Sequence, residues 1–153
     1  MITRPTSAQL IDEVRRELSS TIAPQITDPQ AQGSLQMVDH ILATLAVRAE
    51  HEIAWMLDEI DGISRVVSRV AAEPGSPPSI GAALDELRAS ADGSLLLTDV
   101  TSRYALASEA LSRAIDATVA THGPLHDEVS ALLDRRLEHE TDVIGEFQLV
   151  GRG

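Results

Sequence analysis

An unbroken row of apolar residues between positions 35 and 70 constrains the fold of this chain more than any other feature. Its members follow one another at steps of three or four residues, and they are Leu35, Val38, Leu42, Leu45, Ala49, Ile53, Met56, Ile60, Ile63, Val67 and Val70. Steps of three and four place side chains on one face of an α-helix. The spacing therefore predicts a helix over about residues 29–72, on the order of 65 Å long if Gly62 is tolerated in its interior.

A helix of that length is long for a compact bundle of 153 residues. Either the helix breaks near residues 61–64, or something else covers its far end. A second copy of the chain is the natural cover, because it presents the same apolar row. The sequence thus predicts a homodimer that associates through the long second helix.

Shorter helical patterns surround the long one. Thr6 and Gln9 can form a capping box at the start of a first helix, and Asp28 followed by Pro29 is a typical start for the second. Further helices are predicted over about residues 80–90, 95–122 and 124–146, after a Pro/Gly-rich linker at about 73–79 and before a loose tail at about 147–153. The prediction is an all-α, antiparallel bundle of four to five helices, as one domain over residues 1–153.

Charge and composition exclude several classes of function. The net charge is −12, and all the basic residues are arginines, so lysine chemistry is absent and binding to nucleic acids or anionic membranes is disfavoured. The chain has no cysteine, which removes disulfides and thiolate sites. It shows neither a signal peptide nor an apolar run long enough to span a membrane, so we expect a cytoplasmic protein.

The histidines are the candidates for a metal site. His40 or His51 would supply one ligand from the second helix, and the candidates from later helices are His122, His126 and His139. The set that we predict is His51 with His122 and His126. The stretch "VDHILATLAVRAEHEIAW" resembles the metal-dependent DinB-like hydrolases and thiol transferases, which use such a ligand set. Gly123 and Pro124, however, interrupt the helical face that His122 and His126 would have to share as ligands. The favoured interpretation is therefore that His51 and Trp55 lie where the helix meets solvent, with the imidazole edge in water.

Two other groups of residues are candidate ligand sites. A small-molecule pocket between the second and fourth helices would be lined by Trp55, Met56, Tyr104 and Leu111. Arg65 and Arg69, four residues apart, are candidates for binding an anion, although neutralising an acidic surface is the simpler role for them. The triplets at 50–52 and 138–140, each Glu-His-Glu, point their glutamates in different directions and indicate solvated helix faces.

The N-terminal third, "RPTSAQLIDEVRRELSSTIAPQITDPQAQGSLQMVDHILATLAVRAEHE", resembles a family of uncharacterised bacterial all-helical proteins. These share an Arg-Pro-Thr capping segment, a Leu-x-x-x-Val-Arg-x-x-Leu pattern, and a first helix that ends at proline before a long apolar one. Such proteins are commonly encoded beside aminoglycoside-phosphotransferase-like kinases and acyl-CoA dehydrogenases. The resemblance implies a partner enzyme of the kinase-like or acyl-CoA-metabolising class, and it supplies no catalytic residue.

These observations predict a non-catalytic accessory or regulatory protein that self-associates through its long helix and needs no cofactor. The alternative is a small metal-dependent or ligand-binding bundle enzyme of the DinB-like kind, using His51 with His122 and His126. Metal content of the purified protein separates the two predictions, because only the enzyme requires a bound metal.

Overall fold

The computed structural model describes residues 4–120 and 123–144, which form five α-helices and contain no strand. The helices are α1 (Ser7–Glu17), α2 (Pro29–Ala72), α3 (Pro78–Ala89), α4 (Leu97–Thr118) and α5 (Pro124–Ile144). A π-helical turn, Leu18–Ile22, and a 3-10 turn, Ala23–Gln25, follow α1. The predicted all-α class with a long second helix is therefore confirmed. The predicted tail lies outside the described residues.

Both predicted helix starts are confirmed by their hydrogen bonds. The Gln9 amide donates to Thr6 Oγ1 at 3.3 Å, and the Thr6 amide donates to Gln9 Oε1 at 3.0 Å, which completes the capping box of α1. At the start of α2 the Ala31 amide donates to Asp28 Oδ2 at 2.8 Å. These side chains bond amides that have no partner within the helix, and so they fix where each helix begins.

The long helix α2 continues through Gly62 without a break. Gly62 is buried, and a Cβ atom placed on it would lie 3.0 Å from Cδ2 of Leu132 on α5. The absence of a side chain at Gly62 therefore makes room for the side chain of Leu132. Glycine is unfavourable in a helix by about 1 kcal/mol relative to alanine, and this contact explains why it is found here.

The described residues divide into two compact units, one formed by residues 4–52 and 140–144 and the other by residues 53–120 and 123–139. The second unit contains a continuous apolar core from the later part of α2 together with α3, α4 and α5. Its most completely buried large side chains are Ile60, Ile63, Val67, Ile80, Leu87, Val100, Leu111 and Val129. The prediction that the apolar row of α2 is buried thus holds for its C-terminal part, from Ile60 to Val70.

The first unit is built on a hairpin of α1 and the early part of α2. The chain reverses between the two helices, and Arg15 of α1 pairs with Asp39 of α2, with Nε 2.9 Å from Oδ1 and a terminal nitrogen 3.3 Å from Oδ2. The helices therefore run antiparallel. Among the described residues of this unit only Ala46 is buried, so the hairpin has very little apolar core of its own.

Candidate functional site

Among the described residues, Glu59 is the one charged residue that is buried, and 6% of its surface is exposed. It lies on α2 one helical turn before Ile63, on the face that the helix turns toward the core of the second unit. An ionised carboxylate at such a position needs several partners, because burial removes the water that would otherwise solvate it. The polar side chains that surround Glu59 are therefore the candidate functional site of this unit.

Three side chains from two other helices bond the Glu59 carboxylate. Tyr104 of α4 donates its hydroxyl proton to Oε2, and Nε of Arg136 lies 3.3 Å from the same oxygen. Nδ1 of His139 lies 2.7 Å from Oε1. Arg136 and His139 are three residues apart on α5 and so project from one side of it. Both carboxylate oxygens are consequently occupied by protein groups.

Aromatic contacts hold the partners of Glu59 in place. The indole ring of Trp55 stacks on the imidazole of His139, with ring centroids 4.7 Å apart and an angle of 9° between the planes. The guanidinium carbon of Arg136 lies 5.1 Å from the centre of the Tyr104 ring, within the range of a cation–π interaction. We call Trp55, Glu59, Tyr104, Arg136 and His139 the Glu59 cluster.

The cluster changes the acidity of Tyr104. Burial, and next the hydrogen bond to Glu59, raise the pKa of the Tyr104 phenol from 10.0 to about 12, because both favour the neutral form. In the folded protein the phenol therefore stays protonated and donates to Glu59 throughout the neutral range. A proton held in this way positions a carboxylate and is not available for transfer to a substrate at neutral pH.

Alkaline titration tests this environment directly, because Tyr104 is the only tyrosine in the chain. We expect the ultraviolet absorbance of its phenolate to appear with a pKa of about 12 in the folded protein, against 10.0 for an ordinary tyrosine. Since folding raises this pKa, the stabilisation that depends on the neutral phenol is complete below pH 10 and is lost between pH 10 and about 12. A folded-state pKa near 10 would show that Tyr104 is neither buried nor bonded to Glu59. Glu59→Gln is the matched variant, and it should lower the pKa of Tyr104.

The four predicted pocket residues lie in different environments in the structure. Trp55 and Tyr104 both belong to the Glu59 cluster, whereas Met56 is half-buried and Leu111 is a core residue with 1% exposure. A cavity of about 580 Å³ lies elsewhere in the second unit and is lined by Arg69, Val70, Glu73, Pro74, Gly75, Ser76, Pro77, Ala117, Thr118, Gly123, Pro124 and Leu125. It includes no residue of the Glu59 cluster and none of the four predicted pocket residues.

The predicted anion and metal ligands are placed as follows. Arg65 is exposed and donates to the backbone oxygen of Asp61, and Arg69 forms an ion pair with Glu128 of α5. His51 is half-buried in α2, His126 is half-buried in α5, and His122 lies outside the described residues. Within residues 4–120 and 123–144, no three or more His, Asp or Glu side chains come together as metal ligands would.

A second feature with functional meaning is an exposed apolar surface on the hairpin of the first unit. On α1, Leu10 and Val14 are 54% and 51% exposed. On α2, a row of three residues is similarly open: Val38 at 44%, Ile41 at 51% and Leu45 at 44%. We call these five residues the hairpin face.

The five residues of the hairpin face lie on one side of the hairpin. Leu10 and Val14 lie about 110° and 70° round α1 from the middle of its partly buried side, which carries Ile11, Arg15 and Leu18. The row of Val38, Ile41 and Leu45 lies about 70° to 130° round α2, in the same sense, from the middle of the covered side that carries Leu35, Asp39, Leu42 and Ala46. Because the two helices run antiparallel and the rotation has the same sense on each, both rows emerge on the same side. They form one continuous apolar surface two helices wide.

Comparison with protein-family models, with curated proteins and with solved structures gives no match. Among the helices formed by the described residues, none combines the length and the apolar character needed to cross a membrane.

Proposed function

We propose that this protein is a non-catalytic helical subunit that self-associates through its long second helix and acts as an accessory or regulatory component. The observation that carries the proposal is the contrast between the two parts of α2. Its later part is buried in a core, whereas Val38, Ile41 and Leu45 in its early part are 44–51% exposed. Contiguous apolar surface of this kind is typical of sites where proteins associate.

The Glu59 cluster supports the non-catalytic part of the proposal. A general acid or base needs an oxygen or nitrogen that can reach a substrate. Both carboxylate oxygens of Glu59 are bonded to Tyr104, Arg136 and His139, and only 6% of Glu59 is exposed. The arrangement suits a polar network that specifies how three helices pack.

Sedimentation of the purified chain tests self-association. We expect a species of twice the 16.4 kDa of one chain at micromolar concentration, with a melting temperature that rises with protein concentration, because association stabilises only the folded state. A species of one chain at all concentrations up to the solubility limit would contradict the proposal.

The proposed partner is an enzyme of the kinase-like or acyl-CoA-metabolising class, as the resemblance of the N-terminal third implies. Co-expression with the products of neighbouring genes, followed by co-purification, tests this part separately. A stable complex with one such enzyme supports the accessory role. A dimer that binds none of them would leave self-association standing and remove the accessory role.

A further inference from the structure

We infer that the hairpin face binds the same face of a second copy of this chain, so that two α1–α2 hairpins form an antiparallel four-helix bundle. The inference rests on the proposed self-association, and it adds which surface is used. The interface is confined to α1 and the early part of α2, and it excludes the part of the apolar row from Ile60 onward, which the core of the second unit already covers.

The first argument is the lack of internal burial in the hairpin. Two packed helices normally bury a stripe of apolar residues between them. Here the side of α2 that faces α1 carries Asp39 in an ion pair with Arg15, and Ala46 is the one buried residue among those described in the unit. The larger apolar residues of the hairpin face point away from this contact. The apolar residues on the facing sides, Ile11, Leu18, Leu35 and Leu42, are only partly buried, so burial against another hairpin would complete an apolar layer that α1 and α2 alone leave open.

The second argument is electrostatic. Each chain carries a net charge of −12, so two copies repel one another across most of their surfaces. The α2 half of the hairpin face is an exception, since the side of α2 that presents Ile41 carries no charged residue between Gln30 and Ala49 except Arg48. Arg48 is already neutralised by an ion pair with Glu52 of its own chain. The α2 rows of two copies can therefore meet without bringing unpaired acidic groups together, whereas on the α1 half one exposed carboxylate, Glu17, lies at the end of the row formed by Leu10 and Val14.

The third argument is size and shape. From Gln30 to Ala49 the early part of α2 is about 30 Å long, α1 with its 11 residues is about 17 Å long, and each helix is about 10 Å wide, which gives a flat area on the order of 450 Å². The ridged surface of the helices exceeds this flat area but stays below the ~800 Å² that each partner buries in an interface of standard size, so the proposed interface is at the small end of the range. A surface two helices wide is matched in width by another two-helix surface, and an identical hairpin provides one through a two-fold axis.

Three single variants and sedimentation equilibrium test the inference. Ile41→Glu places a charge in the middle of the face, and Leu10→Glu places one on α1. We expect the dissociation constant of the dimer to rise by about 100-fold or more for Ile41→Glu and by about 10-fold or more for Leu10→Glu, because the two-fold axis introduces each charge twice. Leu137→Glu is the matched control, at a residue of α5 that is 64% exposed in the second unit, and it should leave the dissociation constant within about 3-fold of wild type.

Each substituted residue is at least half exposed in the single chain, so the variants should keep the helical circular dichroism of the wild type, which is to be checked alongside. A wild-type dimer that Ile41→Glu leaves intact overturns the inference and leaves self-association standing. A dimer that Leu10→Glu leaves intact also overturns it, because α1 then lies outside the interface. A monomeric wild type overturns both proposals.

Discussion

Replacing Glu59 with alanine is expected to lower the free energy of unfolding by about 3 kcal/mol, because breaking a buried ion pair leaves its partners without a counter-charge. Arg136 and His139 have side chains that are 28% and 19% exposed, so they recover only part of their hydration when the carboxylate is removed. Tyr104 also loses the acceptor of its hydroxyl. The truncation further leaves a cavity between α2 and its neighbouring helices, and this adds to the loss.

Asp58→Ala is the matched control for this substitution. Asp58 is adjacent to Glu59 on α2 and pairs with Arg135, which is adjacent to Arg136 on α5, at 3.2 Å. That pair is exposed, with side-chain accessibilities of 49% for Arg135 and 58% for Asp58, so its removal should change the free energy of unfolding by less than about 1 kcal/mol. Urea unfolding of both variants at one fixed protein concentration measures the difference. Equal effects of the two substitutions would show that the Glu59 cluster is no more stabilising than a surface ion pair.

The helix boundaries were predictable because local chemistry determines them. Asp28 and Pro29 start α2 as the sequence indicates, and the apolar row continues to Val70, two residues before the helix ends at Ala72. Whether Gly62 would break the helix was not predictable, because the answer depends on Leu132, which is 70 residues away in the sequence. Helix propensity describes how much a glycine destabilises a helix, but it does not describe the close packing against another helix that a glycine allows.

The Glu59 cluster was only partly predictable. Trp55 and Tyr104 were identified as partners in a pocket, and the structure places both beside a buried carboxylate that the sequence interpretation overlooked. His139 was considered as a metal ligand, and the Glu-His-Glu triplet that contains it was interpreted as a solvated face, yet its Nδ1 is bonded to Glu59. One signal was available in the sequence, since Glu59 lies three residues after Met56 and four before Ile63 and therefore on the apolar face. Its partners could not be inferred, because they depend on how α4 and α5 pack against α2.

The apolar row was predicted as one continuous surface, but in the structure its later part is buried and its early part is exposed. Periodicity identifies which side chains share a face, but it contains no information about what covers them. In the later part of α2 the helices of the same chain provide the cover, and Ile63 and Val67 are completely buried. In the early part Val38 and Leu45 are each 44% exposed. The proposed dimer interface is therefore restricted to the early part of α2.

Replacing Gly62 with leucine is expected to lower the free energy of unfolding by about 2 to 3 kcal/mol, although leucine is the better helix former. A Cβ atom alone would stand 3.0 Å from Leu132 Cδ2, which already requires the neighbouring side chain to shift. The three further carbons of leucine would have to be accommodated at a position that is already buried. The overpacking thus exceeds the gain of about 1 kcal/mol in helix propensity.

Gly33→Leu is the matched control, because the same substitution in the same helix should have the opposite sign. Gly33 is exposed on α2, and a Cβ atom built on it meets no atom within 4 Å. Only the improved helix propensity remains there, so we expect the free energy of unfolding to rise by about 0.5 to 1 kcal/mol. Thermal and urea unfolding of both variants, with circular dichroism as the signal, measure the two effects. A stabilising Gly62→Leu would show that α2 and α5 do not approach one another at this glycine, and that Gly62 is a tolerated defect in α2 instead of a packing site.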